Sequence, residues 1–235
     1  MNKKISIILC TYNEVNHIEN TINLIYKNLK NVEVIVVDDN SNDGTLEKLY
    51  KVESKENFKL FVRKNERGLA SAQKKGFKES SGDYVGTIDA NNSDQILYFQ
   101  SLISKLNDNY DIAFLSRYIS GGGDNRIFLR SFGSKSINTV SKFFLRIPFH
   151  DFSSGIFLMK RELMDIMLNI ITGYSEWFIE FIYILYKKKY NIVEVPYVQI
   201  KDDKSIKSKS YPNIFTFFYL GANYFFRILI TLFRN

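Results

Sequence analysis

An α/β fold on a mainly parallel sheet is what this sequence predicts, from three observations. Short β-branched runs alternate with stretches of helical periodicity through the first half of the chain. The order is β-α-β-α, which gives a parallel sheet covered by helices on both faces. A polar cluster follows four of the predicted strands, and ligands of such sheets bind beyond the strands' carboxyl ends.

The elements follow in order. Ile5 to Leu9 reads as a buried strand; Ile18, Ile22, Ile25 and Leu29 recur at helical spacing; Val32 to Val37 is a second strand. Asp38 to Gly44 is turn chemistry that opens a helix carrying Leu46, Leu49 and Val52. Lys59 to Val62 is a third strand, Gly68 to Lys78 a helix, Tyr84 to Ile88 a fourth strand, Ile96 to Leu106 a helix and Asp111 to Leu115 a fifth strand. The clusters Thr11 to Glu14, Asp38 to Asp43, Asp89 to Asp94 and Ser116 to Tyr118 are expected to converge on one crevice. Further on, Arg130, Ser134 and Asn138 share one helical face by their i, i+4, i+8 spacing. Ser175 to Lys189 is a largely apolar helix, and Ile192 to Pro196 is a strand stopped by proline.

Composition narrows the function classes. The chain has 235 residues, 45% of them hydrophobic, enough for one domain with a core and a final appendage. The single cysteine, Cys10, excludes an internal disulfide framework and points to a reducing, cytosol-facing location. The basic start precedes an apolar run too short for a signal peptide, so the N-terminus is expected to be retained. Two histidines, His17 and His150, exclude a zinc site with several histidine ligands. Net charge is +7, with Lys187 to Lys189 and then Lys201, Lys204, Lys207 and Lys209 crowding the approach to an apolar tail. That placement favours an anionic membrane surface, and no nucleic-acid motif accompanies it.

The tail, Asn213 to Asn235, is opened by Pro212 and spans roughly 30 Å at helical rise. Arg227 falls inside it, and Thr216, Asn223, Arg227, Thr231 and Arg234 draw one narrow polar stripe. This pattern fits an in-plane amphipathic helix better than a spanning one; a helix packed on the domain is the structural alternative.

Asp89, at a strand's carboxyl end and followed by Asn91, Asn92, Ser93 and Asp94, suits a hard cation such as Mg²⁺ or Mn²⁺ that keeps waters and bridges substrate phosphates. Asp38 and Asp39 occupy a neighbouring strand end, where carboxylates can bind a base or ribose.

Five segments carry a resemblance: "SIILCTYNEVNHIENTI", "VEVIVVDDNSNDGT", "NERGLASAQKKGFKESSGDYVGTIDAN", "LSRYISGGG" and "FSSGIFLMKREL". Their ordered set, from about residue 5 to 209, resembles the family 2 inverting glycosyltransferases of the GT-A fold, and within them the dolichyl/polyprenyl-phosphate mannose synthase branch. The resemblance implies a catalytic domain over residues 1–209 and a membrane-associated amphipathic helix over 210–235. It implies that Thr11, Tyr12, Glu14 and Asp39 hold a nucleotide sugar (GDP-mannose or a UDP-hexose), with Asp38 beside them. Asp89 is implied as the metal ligand, with Asn91 in place of the family's second aspartate. Arg117, Arg130, Ser134 and Asn138 match positions that cradle the acceptor lipid's phosphate, and Asp89, Arg117 and Arg130 form the catalytic set. Asp202 stands where the branch has a further arginine, and Asp151, Trp177 and Glu180 match family positions with no derived role.

The expected protein is thus a peripheral enzyme on the cytoplasmic face of a membrane, moving a sugar from a nucleotide sugar to a polyprenyl phosphate. The alternative on the same fold is transfer to a sugar hydroxyl, which needs a general base; Asp151 and Asp94 are the candidates. A nucleotidyltransferase would carry a glycine-rich pyrophosphate loop near its start, which "CTYNEVNH" lacks. A non-catalytic nucleotide-binding scaffold is allowed if Asn91 abolishes metal binding.

Overall fold

The computed structural model describes residues 3–201 and 214–234; Asp202, Lys204, Lys207, Lys209 and Pro212 lie outside the described residues. The chain forms strands β1 (Ile5–Thr11), β2 (Val32–Asp38), β3 (Phe58–Val62), β4 (Tyr84–Thr87), β5 (Ile112–Ser116), β6 (Gly123–Asp124), β7 (Phe157–Lys160), β8 (Ile192–Pro196) and β9 (Val198–Gln199). Its helices are α1 (Ile18–Asn28), α2 (Thr45–Val52), α3 (Leu69–Glu79), α4 (Phe99–Asn107), α5 (Phe128–Leu145), α6 (Met164–Ile170), α7 (Trp177–Lys187) and α8 (Ile214–Arg234).

Seven strands make one sheet in the order β3-β2-β1-β4-β7-β5-β8, and β6 pairs with β9 in a small second sheet. Six strands run parallel. β7 alone is reversed, antiparallel to both β4 and β5. The sheet is therefore mainly parallel, as expected, and β7 is the element that periodicity missed: Phe157-Leu158-Met159-Lys160 is too short to show a period. Gly86 permits its close fit, because a Cβ there would collide with the Phe157 carbonyl oxygen. α4 starts later than expected, after a 3-10 helix over Ser93–Tyr98.

Alternation along the strands feeds two cores. Ile7 and Leu9 of β1 pack with Ile18 and Ile22 of α1 and Leu102 of α4 on one face. Ile8 packs with Phe77 of α3, Phe157 and the α7 residues Phe178 and Phe181 on the other. Glu33 of β2 has a side chain only 1% exposed. Burial would raise its pKa, but hydrogen bonds from Ser6, Ser81 and Lys4 outweigh it and hold the carboxyl at about 2.

α8 reverses one expectation. Its polar stripe faces the protein: Arg227 Nη1 donates to Glu180 Oε2 of α7 at 2.7 Å, Nη2 donates to Thr172 Oγ1 at 2.6 Å, and Thr231 is fully buried. Leu220, Tyr224 and Ile228 are buried on the same side. Phe215, Phe218, Tyr219, Phe226 and Phe233 face outward. The cause is Glu180, a carboxylate with no exposure on a helix otherwise apolar, which requires a counter-charge. Among the described residues α8 is the one helix long and apolar enough to cross a membrane, yet the arginine in its middle, Arg227, is buried against the domain.

Removing Arg227 leaves the buried Glu180 only the longer, half-exposed Arg234 contact at 3.6 Å among the ion pairs of the described residues. Arg227→Met should lower unfolding free energy by about 3–5 kcal/mol, and Glu180→Leu combined with Arg227→Met should recover most of that loss; denaturant titration of both variants checks it. Because the folded-state pKa of Glu33 is depressed, its contribution is present above its unfolded pKa and lost as pH falls. Wild-type Tm should drop between about pH 4.5 and about pH 2, and Glu33→Gln should start lower and show a flatter curve across that window.

Candidate active site

The register brings the strand ends together. Thr11 of β1 pairs with Asp38 of β2, and Thr87 of β4 lies opposite Phe157 of β7, which lies opposite Phe114 of β5. Because β7 runs backwards, the loop ahead of it, carrying Asp151 and Ser153, enters on this same edge.

On the β1-β2-β4 side, Asp38 is a strut. It is fully buried, accepts from Thr11 Oγ1 at 2.7 Å and from the Ser41 backbone N–H and hydroxyl at 2.8 and 2.6 Å, and so fixes both loops. Asp39 accepts from Arg63 Nε at 2.7 Å, from Arg63 Nη2, and from the Gly68 N–H at 2.8 Å. Arg63 also donates to Ser71 Oγ at 2.8 Å, joining β3 to the start of α3. The Tyr12 ring lies under the Arg67 guanidinium, 3.7 Å from its centroid. Glu14 is tied through its N–H to Thr45 Oγ1 at 2.8 Å, and its carboxylate is reached by Asn91 Nδ2 at 3.4 Å.

The segment Asp89 to Asp94 is both a turn and a candidate ligand set. The N–H of Asn92 donates to the Asp89 carbonyl at 3.2 Å, and Gln95 clamps Asp89 from behind, accepting its N–H at 2.9 Å and donating to Oδ2 at 3.0 Å. Asp89 itself is exposed, and its Oδ1 takes no hydrogen bond from the described residues. With Nδ2 turned to Glu14, Asn91 keeps its amide oxygen for a ligand. Among the described residues no three His, Cys, Asp or Glu side chains converge as ligands. This donor set fits a hard cation that arrives with a diphosphate and completes its shell with phosphate oxygens and water.

Across the crevice, Arg117 follows β5 and is 4% exposed. Asp151, 1% exposed, accepts from its backbone N–H at 3.0 Å, its Nε at 2.8 Å and its Nη2 at 2.7 Å; Ser153 Oγ takes a further Nη2 hydrogen bond at 2.8 Å. Burial would raise the Asp151 pKa, but the Arg117 charge and hydrogen bonds hold it below the ordinary carboxylate range. Glu194 of β8 anchors this loop by accepting the N–H groups of His150 and Asp151 at 3.0 and 3.1 Å. Asn138 reaches Asp151 Oδ1 at 3.4 Å, behind Arg117. Burial pushes the Tyr197 phenol up to about 12 against the opposing charge of Arg117.

Arg130 and Ser134 stand on the wall of a groove of about 210 Å³ between α5 and α8, with Ile137, Phe217, Gly221 and Tyr224 making it apolar. Beneath it, Asp124 accepts from Arg126 Nε at 2.8 Å and Nη2 at 2.7 Å, from Tyr118 at 2.8 Å and from Ser131 at 2.8 Å; Arg126 Nη2 also donates to Ser134 Oγ at 2.9 Å. The turn leading to Asp124 is tight: a Cβ on Gly122 would stand 2.8 Å from the Arg117 carbonyl oxygen.

Sequence reasoning missed Arg63, Glu194, Asp124 and Arg126. Arg63 was within reach, since it directly follows β3 at the carboxyl edge. The other three needed the pairing of β6 with β9 and of β5 with β8, which no local pattern encodes.

Known proteins match this arrangement. The glycosyl transferase family 2 model matches residues 6–167. Dolichol-phosphate mannosyltransferase of Pyrococcus furiosus is 36% identical over 219 residues, which cover 88% of this chain and 60% of that protein. Polyprenol monophosphomannose synthase of Mycolicibacterium smegmatis is 26% identical over 216 residues, 88% of this chain and 82% of that protein. A crystal structure of glucosyl-3-phosphoglycerate synthase from Mycobacterium tuberculosis, in complex with Mn²⁺, uridine-diphosphate and phosphoglyceric acid, superposes with a TM-score of 0.72 at 18% identity, covering 97% of this chain and 78% of that one, and shares the GT-A-like fold. The sheet order, the converging strand ends and the match over residues 6–167 agree: the chain belongs to glycosyl transferase family 2.

Proposed function

We propose that this protein transfers a sugar from a nucleoside-diphosphate sugar to the phosphate of a polyprenyl phosphate, working from the cytoplasmic face of a membrane. The observation that carries the reading is the groove between α5 and α8: apolar along its length, with Arg130 and Ser134 on its wall, it suits a lipid tail with an anionic head. The names of the Pyrococcus and Mycolicibacterium relatives support the same acceptor class.

The chemistry asks little of a base. A phosphate oxygen of the acceptor is already ionised; it attacks the sugar C1 in line, the C1–O bond to the diphosphate breaks, and the nucleoside diphosphate departs with that electron pair. No proton has to move. Arg117 and Arg130 would hold the acceptor phosphate, and Thr11, Tyr12, Glu14 and Asp39 would hold the donor, its position set by the Asp38 and Arg63 contacts. Asp89 with Asn91 would hold a divalent cation, Mg²⁺ or Mn²⁺, which when bound neutralises the departing diphosphate.

A hydroxyl acceptor would need a base, and Asp151 is poorly placed to be one. It is buried, its pKa is held down, and both its oxygens serve Arg117. Asp151→Asn should consequently be severe for either acceptor, because it leaves Arg117 buried and unpaired.

Membrane contact has a physical basis in the exposed rings. Phe128 is 82% and Phe132 55% exposed on α5, and Phe218 67%, Phe226 61% and Phe233 90% on α8. Rings left in water on two neighbouring helices gain by entering a headgroup layer.

Two measurements test the proposal. Asp89→Ala should abolish transfer, while Arg130→Ala should raise KM for polyprenyl phosphate by the ~30-fold to ~1000-fold that corresponds to about 2–4 kcal/mol, with nucleotide affinity unchanged by calorimetry. A silent Arg130→Ala would sink the phosphate acceptor. Replacing Phe128, Phe218 and Phe226 together by serine should weaken sedimentation with anionic vesicles by at least about tenfold without lowering Tm, since each buried ring contributes roughly 1.5–3 kcal/mol.

A further inference from the structure

We infer that Arg126 is a third arginine of the acceptor site, which turns the Ser134 hydroxyl into a hydrogen-bond donor aimed at the groove and so selects a phosphate over a hydroxyl acceptor. This rests on the phosphate-acceptor reading above and adds to it a residue and a reason for selectivity.

The argument is one of donors and acceptors. A guanidinium has five N–H groups and no acceptor. At 2.9 Å from Arg126 Nη2, Ser134 Oγ can therefore only accept, and the hydroxyl proton must point elsewhere. Among the described residues that proton has no acceptor. Ser134 lines the groove, and Arg130 beside it also brings only donors. Among the described residues, Ser134 and Arg126 thus meet at the groove as donors. A phosphate, whose terminal oxygens are all acceptors, matches these donors; a sugar hydroxyl offers a single oxygen and adds a proton of its own.

Arg126 is built to hold this position. Asp124 grips Nε and Nη2 with its two oxygens, and Tyr118 and Ser131 donate to the same carboxylate, so Asp124 stays ionised with its side chain 3% exposed. The pairing of β6 with β9 fixes the backbone of Asp124. Nη1 makes no hydrogen bond among the described residues and remains for a second phosphate oxygen. The charge of Arg117 also acts on Arg126, in the direction that disfavours a second cation.

The test uses the full chain, polyprenyl phosphate as acceptor and farnesyl phosphate as a soluble binding probe. Arg126→Met alone leaves Asp124 unpaired, so the working variant is Asp124→Asn with Arg126→Met, which removes both charges together. It should raise KM for polyprenyl phosphate and Kd for farnesyl phosphate about tenfold or more, with Tm and nucleoside diphosphate affinity near wild type. Adding Ser134→Ala to it should change little, whereas Ser134→Ala alone should cost several-fold, because the serine acts through Arg126. Full additivity of the two losses overturns the inference. An unchanged KM in this variant beside a raised KM in Arg130→Ala also overturns it and leaves the phosphate acceptor standing. If neither variant affects polyprenyl phosphate, both readings fall.

Discussion

The buried pair of Arg117 and Asp151 is the contact on which the β5-β7-β8 side of the crevice depends. Two full charges taken out of water are costly, and they persist only where geometry and extra hydrogen bonds offset the loss of hydration. Here a bidentate fork, the Arg117 N–H and Ser153 do so. The pair closes the gap between the end of β5 and the loop that enters β7. Glu194 holds that loop from β8, so three strands meet at one guanidinium. A weaker contact would leave the loop free and the arginine mobile.

The β1-β2-β4 side is held differently. Asp38 and Asp39 sit side by side but do separate work, one joining Thr11 to Ser41 and the other joining Arg63 to Gly68. Neither carboxylate is left to chance rotation. Asp89 alone keeps an oxygen open to solvent, and it is clamped from behind by Gln95. Around Asp38 and Asp39 the carboxylates are fixed from two sides, whereas Asp89 is fixed from one.

Much of this is legible in the chain, and the reasons are local. Strand ends and the polar residues after them are encoded by neighbours in sequence, so periodicity and turn chemistry suffice to put Thr11, Asp38, Asp39, Asp89 and Arg117 on one edge. The i, i+4 spacing of Arg130 and Ser134 likewise puts them on one face. What cannot be read locally is what depends on distant pairing. The reversed β7, the Glu194 anchor and the Asp124 to Arg126 fork join segments far apart in the chain or sit in two-residue strands. The α8 stripe turns the opposite way from expectation because a polar row shows where a helix differs from its surroundings and not which side the protein is on. Glu180 decides it.

The inward turn of that stripe bears on the timing of synthesis. The carboxyl ends of β1, β2 and β4 come from the first 91 residues, whereas one wall of the groove beside α5 is residues 217–228. As the chain emerges from a ribosome, the residues at those strand ends are made long before the groove has its second wall. In that interval Glu180 has no Arg227, and the inner face of α5 is bare. α8, made after both, is the helix that neutralises the buried carboxylate and also completes the groove beside α5.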